Sequence, residues 1–244
     1  MPAPSGSDGA APELSVVIPV YNEEAILRSS VVDLCEQLDE WKRPYEVILS
    51  ANGCRDRTVS IARELSKKHE QVRYIESAEP NYGKALRAGI LDARGTFVLC
   101  DEIDLCDADF HRRALTLLDA GEADLVVGSK VLDGAADKRP AGRRAATRII
   151  NTMLRISVGF RGTDTHGLKA FHKEALLPVL RRCELERDLF ASELVIRAWR
   201  DGLRVTELPV EVVEKRKPSI NLLRRVPRVL RDLARLTYTI RLKG

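Results

Sequence analysis

The sequence predicts an α/β fold, in which a mostly parallel, mixed sheet is flanked by helices in one domain that ends in a basic amphipathic helix. Short apolar runs alternate with segments of helical periodicity, the order typical of a parallel sheet with covering helices. The first run, LSVVIPV, is continuously apolar, as expected for a strand buried on both faces. The chain has 244 residues, 44% of them hydrophobic, which suffices for one compact core.

The N-terminal half is predicted to alternate strands and helices. Strands are expected at residues 14–20, 45–50, 72–76, 96–100 and 124–128. Helices are expected at residues 23–41, 56–69, 82–93 and 109–120. Ligands of such sheets bind beyond the carboxyl ends of the strands. The candidate site therefore comprises residues 20–24, 50–56, 100–106 and 128–130.

The C-terminal half is less regular. Helices are predicted at 143–158 and 190–200, a short strand at 169–172, and an extended segment at 203–213. The last helix is expected to begin near Pro227, because proline suits a first helical turn. It is predicted to be amphipathic and basic. Its apolar stripe is Val226, Val229, Leu230, Leu233 and Leu236, and its arginines are Arg224, Arg228, Arg231 and Arg235.

Composition argues against several classes of protein. No apolar stretch approaches the about 18 residues of a membrane span. Residues 1–13 lack the basic start and apolar centre of a signal peptide, so we expect a flexible tail. Five cysteines without a CxxC pair predict reduced thiols in a cytoplasmic protein. An aromatic content of 5% argues against a stacking platform for single-stranded nucleic acid.

Charge is distributed unevenly, although the formal net charge is only +4. Residues 138–161 include seven Lys or Arg and no acid, and residues 215–244 include ten and one acid, Asp232. These segments carry +7 and +9, which leaves −12 on the rest of the chain. The pattern predicts an anionic partner: a phosphate compound, an anionic membrane surface or nucleic acid. A solvated basic face is the alternative.

An acidic cluster follows the fourth predicted strand. Asp101, Glu102 and Asp104 repel one another unless a cation lies between them. Such oxygen ligands suit Mg²⁺ or Mn²⁺, which leave room for substrate phosphates. Alternatively, the cluster is an exposed loop that caps the next helix, together with Asp107 or Asp109. No GxGxxG follows the first strand and no GxxxxGK[ST] occurs, which argues against Rossmann and P-loop sites.

Six motifs occur together in a characteristic order: SVVIPVYNEE, ANGCRDRT, NYGKALRAG, DEID, THGLKAF and ELPVEVVEKRKPS. With them the chain resembles glycosyltransferase family 2, and within it the dolichyl- or polyprenyl-phosphate mannose and glucose synthases. The resemblance spans about residues 14–236. It implies a GT-A fold over residues 14–214 and a basic helical segment at 215–244. It also implies inverting transfer of a sugar from a nucleotide-diphosphate sugar, with Mg²⁺ or Mn²⁺ as cofactor.

The resemblance assigns a donor side and an acceptor side to the site. On the donor side it implies Pro19, Tyr21, Glu23, Asn52, Gly53, Lys84, Asp101, Glu102, Lys130 and Ser219. On the acceptor side it implies Arg144, Asn151, His166 and Lys169. Asn52 stands where the family has aspartate, and it can still hydrogen-bond a nucleotide base.

The family's metal motif is Asp-x-Asp followed by Leu. Alignment on Leu105 makes Asp104 and Glu102 the metal ligands, and Asp101 is an extra carboxylate that could take the place of Glu102. Asp104, Asp101, Lys215 and Arg216 are expected to act on the diphosphate as it departs. Asp101, Glu193 and His166 are candidate bases by residue type only. A phosphate acceptor needs no base, so we favour it.

Two functions therefore stand side by side. One is a polyprenyl-phosphate glycosyltransferase, cytoplasmic or peripheral on the inner face of the membrane. The other is a soluble family 2 enzyme for a small-molecule or saccharide acceptor. A non-catalytic nucleotide-sugar-binding protein is a further alternative, because Asn52 and Glu102 depart from the family pattern. A sugar-nucleotidyltransferase would need a Gly-rich basic loop after the first strand, and nucleic-acid binding is not expected.

Overall fold

The computed structural model describes residues 11–130, 132, 141–210 and 222–242. Within them one sheet has the strand order β3-β2-β1-β4-β6-β5-β7. Its strands are β1 (Leu14–Val20), β2 (Tyr45–Asn52), β3 (Val72–Ser77), β4 (Phe97–Cys100), β5 (Leu125–Ser129), β6 (Lys169–His172) and β7 (Val205–Pro209). The helices are α1 (Leu27–Asp39), α2 (Thr58–Lys68), α3 (Tyr82–Asp92), α4 (Ala108–Asp119), α5 (Ala141–Val158), α6 (Lys173–Arg182), α7 (Asp188–Arg200) and α8 (Leu222–Leu242).

The predicted mixed, mostly parallel sheet is confirmed. β6 alone among these strands runs antiparallel to its neighbours, β4 and β5. As a result β6 begins at the edge where β4 and β5 end: Lys169 lies opposite Cys100 and Val127. The chain segment before β6 is thereby brought to the carboxyl ends of the parallel strands, where ligands of such sheets bind.

Apolar layers cover both faces of the sheet. All seven residues of β1 are buried, as its continuous apolar run predicts. Successive side chains point to opposite faces, so Val16 and Ile18 join one apolar cluster while Val17 joins the other. The sheet is therefore a fixed platform for the loops at its edge.

Three helices differ from their predicted form. α1 begins at Leu27 instead of residue 23, because the chain at Glu23 turns and its N–H binds Thr58 Oγ1 at 2.7 Å. α6 was not predicted, and it contains Pro178. α8 begins at Leu222, so Pro227 lies inside the helix and not in its first turn.

The C-terminal part of the apolar stripe of α8 packs on the protein itself. Leu236 and Ile240 are each 1% exposed, and Leu233 packs against the same apolar cluster. Arg231 and Arg235 lie on the exposed side. Of the predicted stripe, Leu233 and Leu236 thus face the core, whereas Leu230 is 48% exposed and the side chains of Val226 and Val229 lie outside the described residues. Contact of this helix with a membrane surface stays a prediction. No helix of the described residues is long and apolar enough to cross a membrane.

Candidate active site

Two tight turns form the first part of the site, after β1 and β2. Asn22 has a φ of 55°, and its Oδ1 accepts the N–H of Arg55 at 2.8 Å. Gly53 has a φ of 59°, and a Cβ there would lie 2.5 Å from Pro80 N. Both backbones take the left-handed form that asparagine and glycine tolerate best. Tyr21, a predicted donor contact, stays 44% exposed on these turns.

Asn52 is buried and ties the turns to α3. Its Nδ2 donates to Val20 O at 2.9 Å, and its Oδ1 accepts the N–H of Asn81 at 3.0 Å. Asn81 in turn caps α3, because its Oδ1 accepts the N–H groups of Lys84 and Arg187. In this structure Asn52 acts as a support beneath the site. Its contact to a nucleotide base stays a prediction, and the role of Asn81 was missed from the sequence.

Lys84 lies at the start of α3 between two carboxylates. Its Nζ is 2.9 Å from Glu79 Oε2 and 3.4 Å from Glu186 Oε1. The hydrogen bond that Lys84 donates to Glu79 raises the pKa of the Lys84 ammonium. The predicted contact to a diphosphate would require this partly exposed lysine to exchange those partners.

The acidic loop after β4 alternates between inward and outward residues. Asp101 and Ile103 are 2% and 4% exposed, whereas Glu102 and Asp104 are only partly buried. Leu105 N and Cys106 N both donate to Glu102 O, at 2.9 and 3.1 Å, and close the loop into a turn. Glu102 and Asp104 are therefore the pair that the loop presents at its accessible side.

Asp101 is held from within by a residue that was missed from the sequence. Its Oδ2 lies 2.9 Å from Nε2 of His111, and its Oδ1 accepts the N–H of Glu102 at 2.7 Å. Both side chains are buried. The sequence signal was weak: Asp107, the N-cap of α4, places His111 in the first turns on the apolar face of the helix.

Two lysines lie within electrostatic range of Glu102. Burial raises the pKa of the Glu102 carboxyl, and Asp104 adds to the rise, while Lys130 and Lys169 oppose it. Lys169 is 1% exposed, and its Nζ donates to Gly167 O at 2.7 Å. Burial lowers the pKa of the Lys169 ammonium. The strand order places Lys169, at the start of β6, and Lys130, just after β5, at the same edge of the sheet as Glu102 and Asp104.

A close backbone contact fixes the segment that leads into β6. A Cβ on Gly167 would lie 1.8 Å from Gly128 O, so only glycine fits there. Glu207 Oε1 accepts the N–H groups of Thr163 and Asp164, at 2.6 and 2.9 Å. The predicted acceptor residue Asn151 donates from Nδ2 to Thr163 O, which joins α5 to this segment.

The other predicted residues have less defined places. His166 is exposed, and its N–H binds Asp164 Oδ1 at 2.8 Å. Glu193 is fully buried and holds Arg197 and the N–H of Leu185, so it is a structural group and not a base. Lys215, Arg216, Ser219 and the side chain of Arg144 lie outside the described residues.

The donor set at the edge of the sheet fits a divalent cation that a substrate helps to hold. No group of three or more His, Cys, Asp or Glu in the described residues could hold a metal ion by itself. Mg²⁺ is typically bound by one or two carboxylates together with substrate phosphates and water. Glu102 and Asp104 supply two carboxylates, and the negative charge of Asp104 contributes to the raised pKa of Glu102.

A cavity lies away from these residues. It measures about 660 Å³ and is lined by residues of α1, of the segment that follows it and of α4, including Trp41, Arg43 and Asp119. None of the predicted site residues lines it. This cavity is therefore separate from the carboxylate pair.

Comparison with known proteins agrees with these observations. The sequence model of the family described as Glycosyl transferase family 2 matches residues 15–176. Glycosyltransferase AglD of Haloferax volcanii is 30% identical over 226 residues, which are 91% of this chain and 36% of AglD. Dolichyl-phosphate beta-glucosyltransferase ALG5D of Trichomonas vaginalis is 27% identical over 215 residues, which are 81% of this chain and 65% of ALG5D. The chain thus spans about a third and just under two thirds of these relatives.

Solved structures share the fold. Glucosyl-3-phosphoglycerate synthase from Mycobacterium tuberculosis, in complex with UDP, superposes with a TM-score of 0.65 at 21% identity, covering 93% of this chain and 80% of that one. Its complex with Mn²⁺, UDP and glucosyl-3-phosphoglycerate has a TM-score of 0.64 at 20% identity, covering 95% and 80%. This likeness confirms the predicted GT-A fold. Together with the family match, it shows that the chain belongs to glycosyltransferase family 2, the enzyme class that its motifs predicted.

Proposed function

We propose that this protein transfers a hexose from a nucleotide-diphosphate sugar, of the UDP-glucose or GDP-mannose type, to a polyprenyl phosphate. The observation that supports the proposal is the position of Glu102, Asp104, Lys130 and Lys169 at one edge of the sheet, where β4 and β5 end and β6 begins. A carboxylate pair suits a cation that binds a diphosphate, and two nearby lysines suit the negative charge of a phosphate acceptor.

The donor would lie across the turns after β1 and β2. Tyr21 is exposed there, and the left-handed backbone at Asn22 and Gly53 forms the tight turns on which the donor would rest. Glu102 and Asp104 would hold Mg²⁺ or Mn²⁺. When bound, that ion would neutralise the charge that develops on the departing diphosphate.

The acceptor would approach from the side of β6. Lys130 is only partly buried on this side, and its positive charge would attract an oxyanion acceptor, which needs no base to activate it. The inversion that the family resemblance implies requires the acceptor oxygen and the leaving diphosphate to lie on opposite faces of the sugar. Lys130, which follows β5, lies within electrostatic range of Glu102 and would help to orient the two anions, while the buried Lys169 of β6 would add to the local electrostatic field.

The relatives support glucose and a lipid phosphate. ALG5D carries the name dolichyl-phosphate beta-glucosyltransferase, and so does a Drosophila melanogaster protein that is 44% identical over 111 residues, 41% of this chain and 33% of that protein. The fold neighbours were crystallised with UDP and with Mn²⁺ or Mg²⁺. These names favour UDP-glucose over GDP-mannose as the first donor to try.

A second candidate is transfer to a water-soluble acceptor. It is favoured by the packing of α8, whose buried Leu236 and Ile240 are unavailable to a membrane. It would leave the site chemistry on the donor side unchanged.

A membrane contact would instead use the exposed side of α5. Ile149 and Ile156 are 60% and 76% exposed, and Arg148 and Arg155 are exposed beside them. Residues seven apart lie on one helix face, so the two isoleucines form one apolar patch flanked by arginines. An anionic bilayer fits such a surface, because apolar groups enter the interface while arginines meet phosphates.

The function is tested by incubating the protein with labelled UDP-glucose or GDP-mannose and Mn²⁺. Polyprenyl phosphate is offered in one reaction and 3-phosphoglycerate in another. We expect label in the lipid fraction, lost when the metal is chelated. Label in the soluble acceptor alone would favour the second candidate, and no transfer with any donor would contradict both.

The membrane contact is tested by flotation with anionic vesicles at low and high salt. We expect I149S/I156S to float less than the parent protein. Leu91→Ser is the matched control, because Leu91 is 48% exposed on α3, away from the α5 surface. Equal flotation of all three proteins would contradict the α5 contact.

A further inference from the structure

We propose that His111 is a positioning residue for the Glu102 and Asp104 pair and acts through Asp101. The inference rests on the proposed function, because it assumes that the pair holds a divalent cation beside a nucleotide diphosphate. None of the sequence motifs includes His111, which lies in the first turns of α4.

Asp101 holds the beginning of the acidic loop with both carboxylate oxygens. Oδ1 accepts the N–H of Glu102 at 2.7 Å, and Oδ2 lies 2.9 Å from His111 Nε2. The Asp101 N–H itself donates to Val17 O at 3.0 Å. The side chain is fully buried, so it orients the residue that follows it without facing a ligand.

His111 is explained by this contact better than by packing. Its ring is 1% exposed and meets Phe110 edge-on. In the described part of the chain, Nδ1 has no hydrogen-bond partner. A buried polar atom without a partner is unfavourable, so an apolar residue would serve better at a position that only filled the core.

The loop transmits the position of Asp101 to the pair. Asp101 and Ile103 are anchored inward on either side of Glu102. Glu102 O also closes the turn by accepting the N–H groups of Leu105 and Cys106. Without His111, the buried carboxylate of Asp101 would lose its ring partner and turn. The N–H of Glu102 would then lose its acceptor, and the carboxylates of Glu102 and Asp104 would no longer be held in a fixed position relative to each other.

The experiment compares Mn²⁺ binding in the presence of UDP, followed by the electron paramagnetic resonance of free Mn²⁺. The variants are His111→Leu, which removes the contact, and His111→Gln, which keeps an N–H at about the same reach. Leu115→Ala is the control, because Leu115 is equally buried one turn further along α4 and does not contact Asp101. His111→Phe replaces H111L if that variant does not fold.

We expect H111L to bind Mn²⁺ about 10-fold or more weakly, as is typical when a partner behind a metal ligand is lost. H111Q should bind nearly as the parent does, and L115A should melt earlier yet bind normally. Parent-like binding by H111L, equal loss in H111Q, or equal loss in L115A would overturn the inference alone. Absence of Mn²⁺ binding by the parent protein would overturn the proposed metal site and the inference together.

Discussion

Carboxylates have different surroundings at the two ends of the parallel strands. At the amino ends, Glu46 is buried and accepts hydrogen bonds from Ser15 Oγ at 2.7 Å, Arg73 Nε at 2.8 Å and Arg94 N at 2.7 Å. At the carboxyl ends, Glu102 lies within electrostatic range of Asp104, and this like charge raises its pKa further. One end satisfies its carboxylate within the protein, and the other keeps two carboxylates together.

This difference separates a structural end of the sheet from a functional one. Arg43 joins Glu13 and Asp119 at the amino ends, and Arg204 joins Asp124, so opposite charges close that surface. Like charges held together reduce stability unless a cation binds between them. Proteins depart from such local rules mainly at functional sites. The carboxyl ends are therefore where changes should affect activity more than stability.

The largest expected effect is on activity at the carboxyl ends. Asp104→Asn should lower the rate of sugar transfer about 100-fold or more, because it removes an anionic ligand of the divalent cation that would neutralise the leaving diphosphate. The melting temperature should change little, since Asp104 is only partly buried. Steady-state kinetics and thermal unfolding together check this.

The matched control for D104N is Asp109→Asn in the first turn of α4. Asp109 is exposed and pairs with Arg112 and Arg113. Its loss should leave transfer unchanged. If D109N lowered the rate as far as D104N, the loss of any negative charge in this region would explain the effect, and the paired carboxylates would have no special role.

The next effect is on stability at the amino ends. Glu46→Ala should lower the free energy of unfolding by about 3 kcal/mol, because it leaves a buried part of Arg73 and two other donors without their acceptor. Urea unfolding measures it. Asp92→Asn, which removes the exposed partner of the same arginine, should cost less than about 1 kcal/mol. Equal costs in both variants would remove the distinction between them.

A smaller effect on stability is expected in α8. Leu236→Ala should lower the free energy of unfolding by about 2–3 kcal/mol, because the side chain is 1% exposed in the core. Tyr238→Ala, at 56% exposure on the same helix, should cost much less. Thermal unfolding of both variants checks this. An unchanged free energy of unfolding for L236A would contradict the packing of Leu236 in the core.

The smallest effect concerns pH at the amino ends. The hydrogen bond from Arg204 lowers the pKa of the Asp124 carboxyl. An acid whose pKa is lowered by folding adds stability above its unfolded pKa of about 3.9, and this is lost as pH falls through the folded value. Because the pair is partly exposed, Asp124→Asn should cost only about 0.5 kcal/mol at pH 7. Urea unfolding measures the difference in free energy of unfolding between the parent protein and D124N. If this difference failed to narrow below about pH 3.9, the ion pair's contribution would be contradicted.

The sheet and the acidic cluster could be predicted because their signals are local. β1, β2, β4 and β5 are almost entirely buried, and Glu102 and Asp104 follow the strand that ends at Cys100. The supports of the site could not be predicted, because they join distant residues: Asn81 meets Arg187, and His111 meets Asp101 across a turn.

The orientation of α8 was beyond the sequence for another reason. An apolar stripe beside arginines has the same pattern whether it faces a bilayer or the protein's own core. Contacts of α8 with α5 and α7 decide between the two, and they depend on the tertiary fold. The missed α6 is similar: Pro178 lies within it, and its burial against the core outweighs the local cost.

On this view the carboxyl ends of the strands bind a nucleotide together with a metal ion, and the amino ends only support the fold. Calorimetric titration of UDP with Mn²⁺ into the parent protein, Asp104→Asn and Glu46→Gln tests this division. We expect D104N to bind at least about 10-fold more weakly and E46Q to bind as the parent does while unfolding earlier. Parent-like binding by D104N, or equal weakening in E46Q, would contradict the claim.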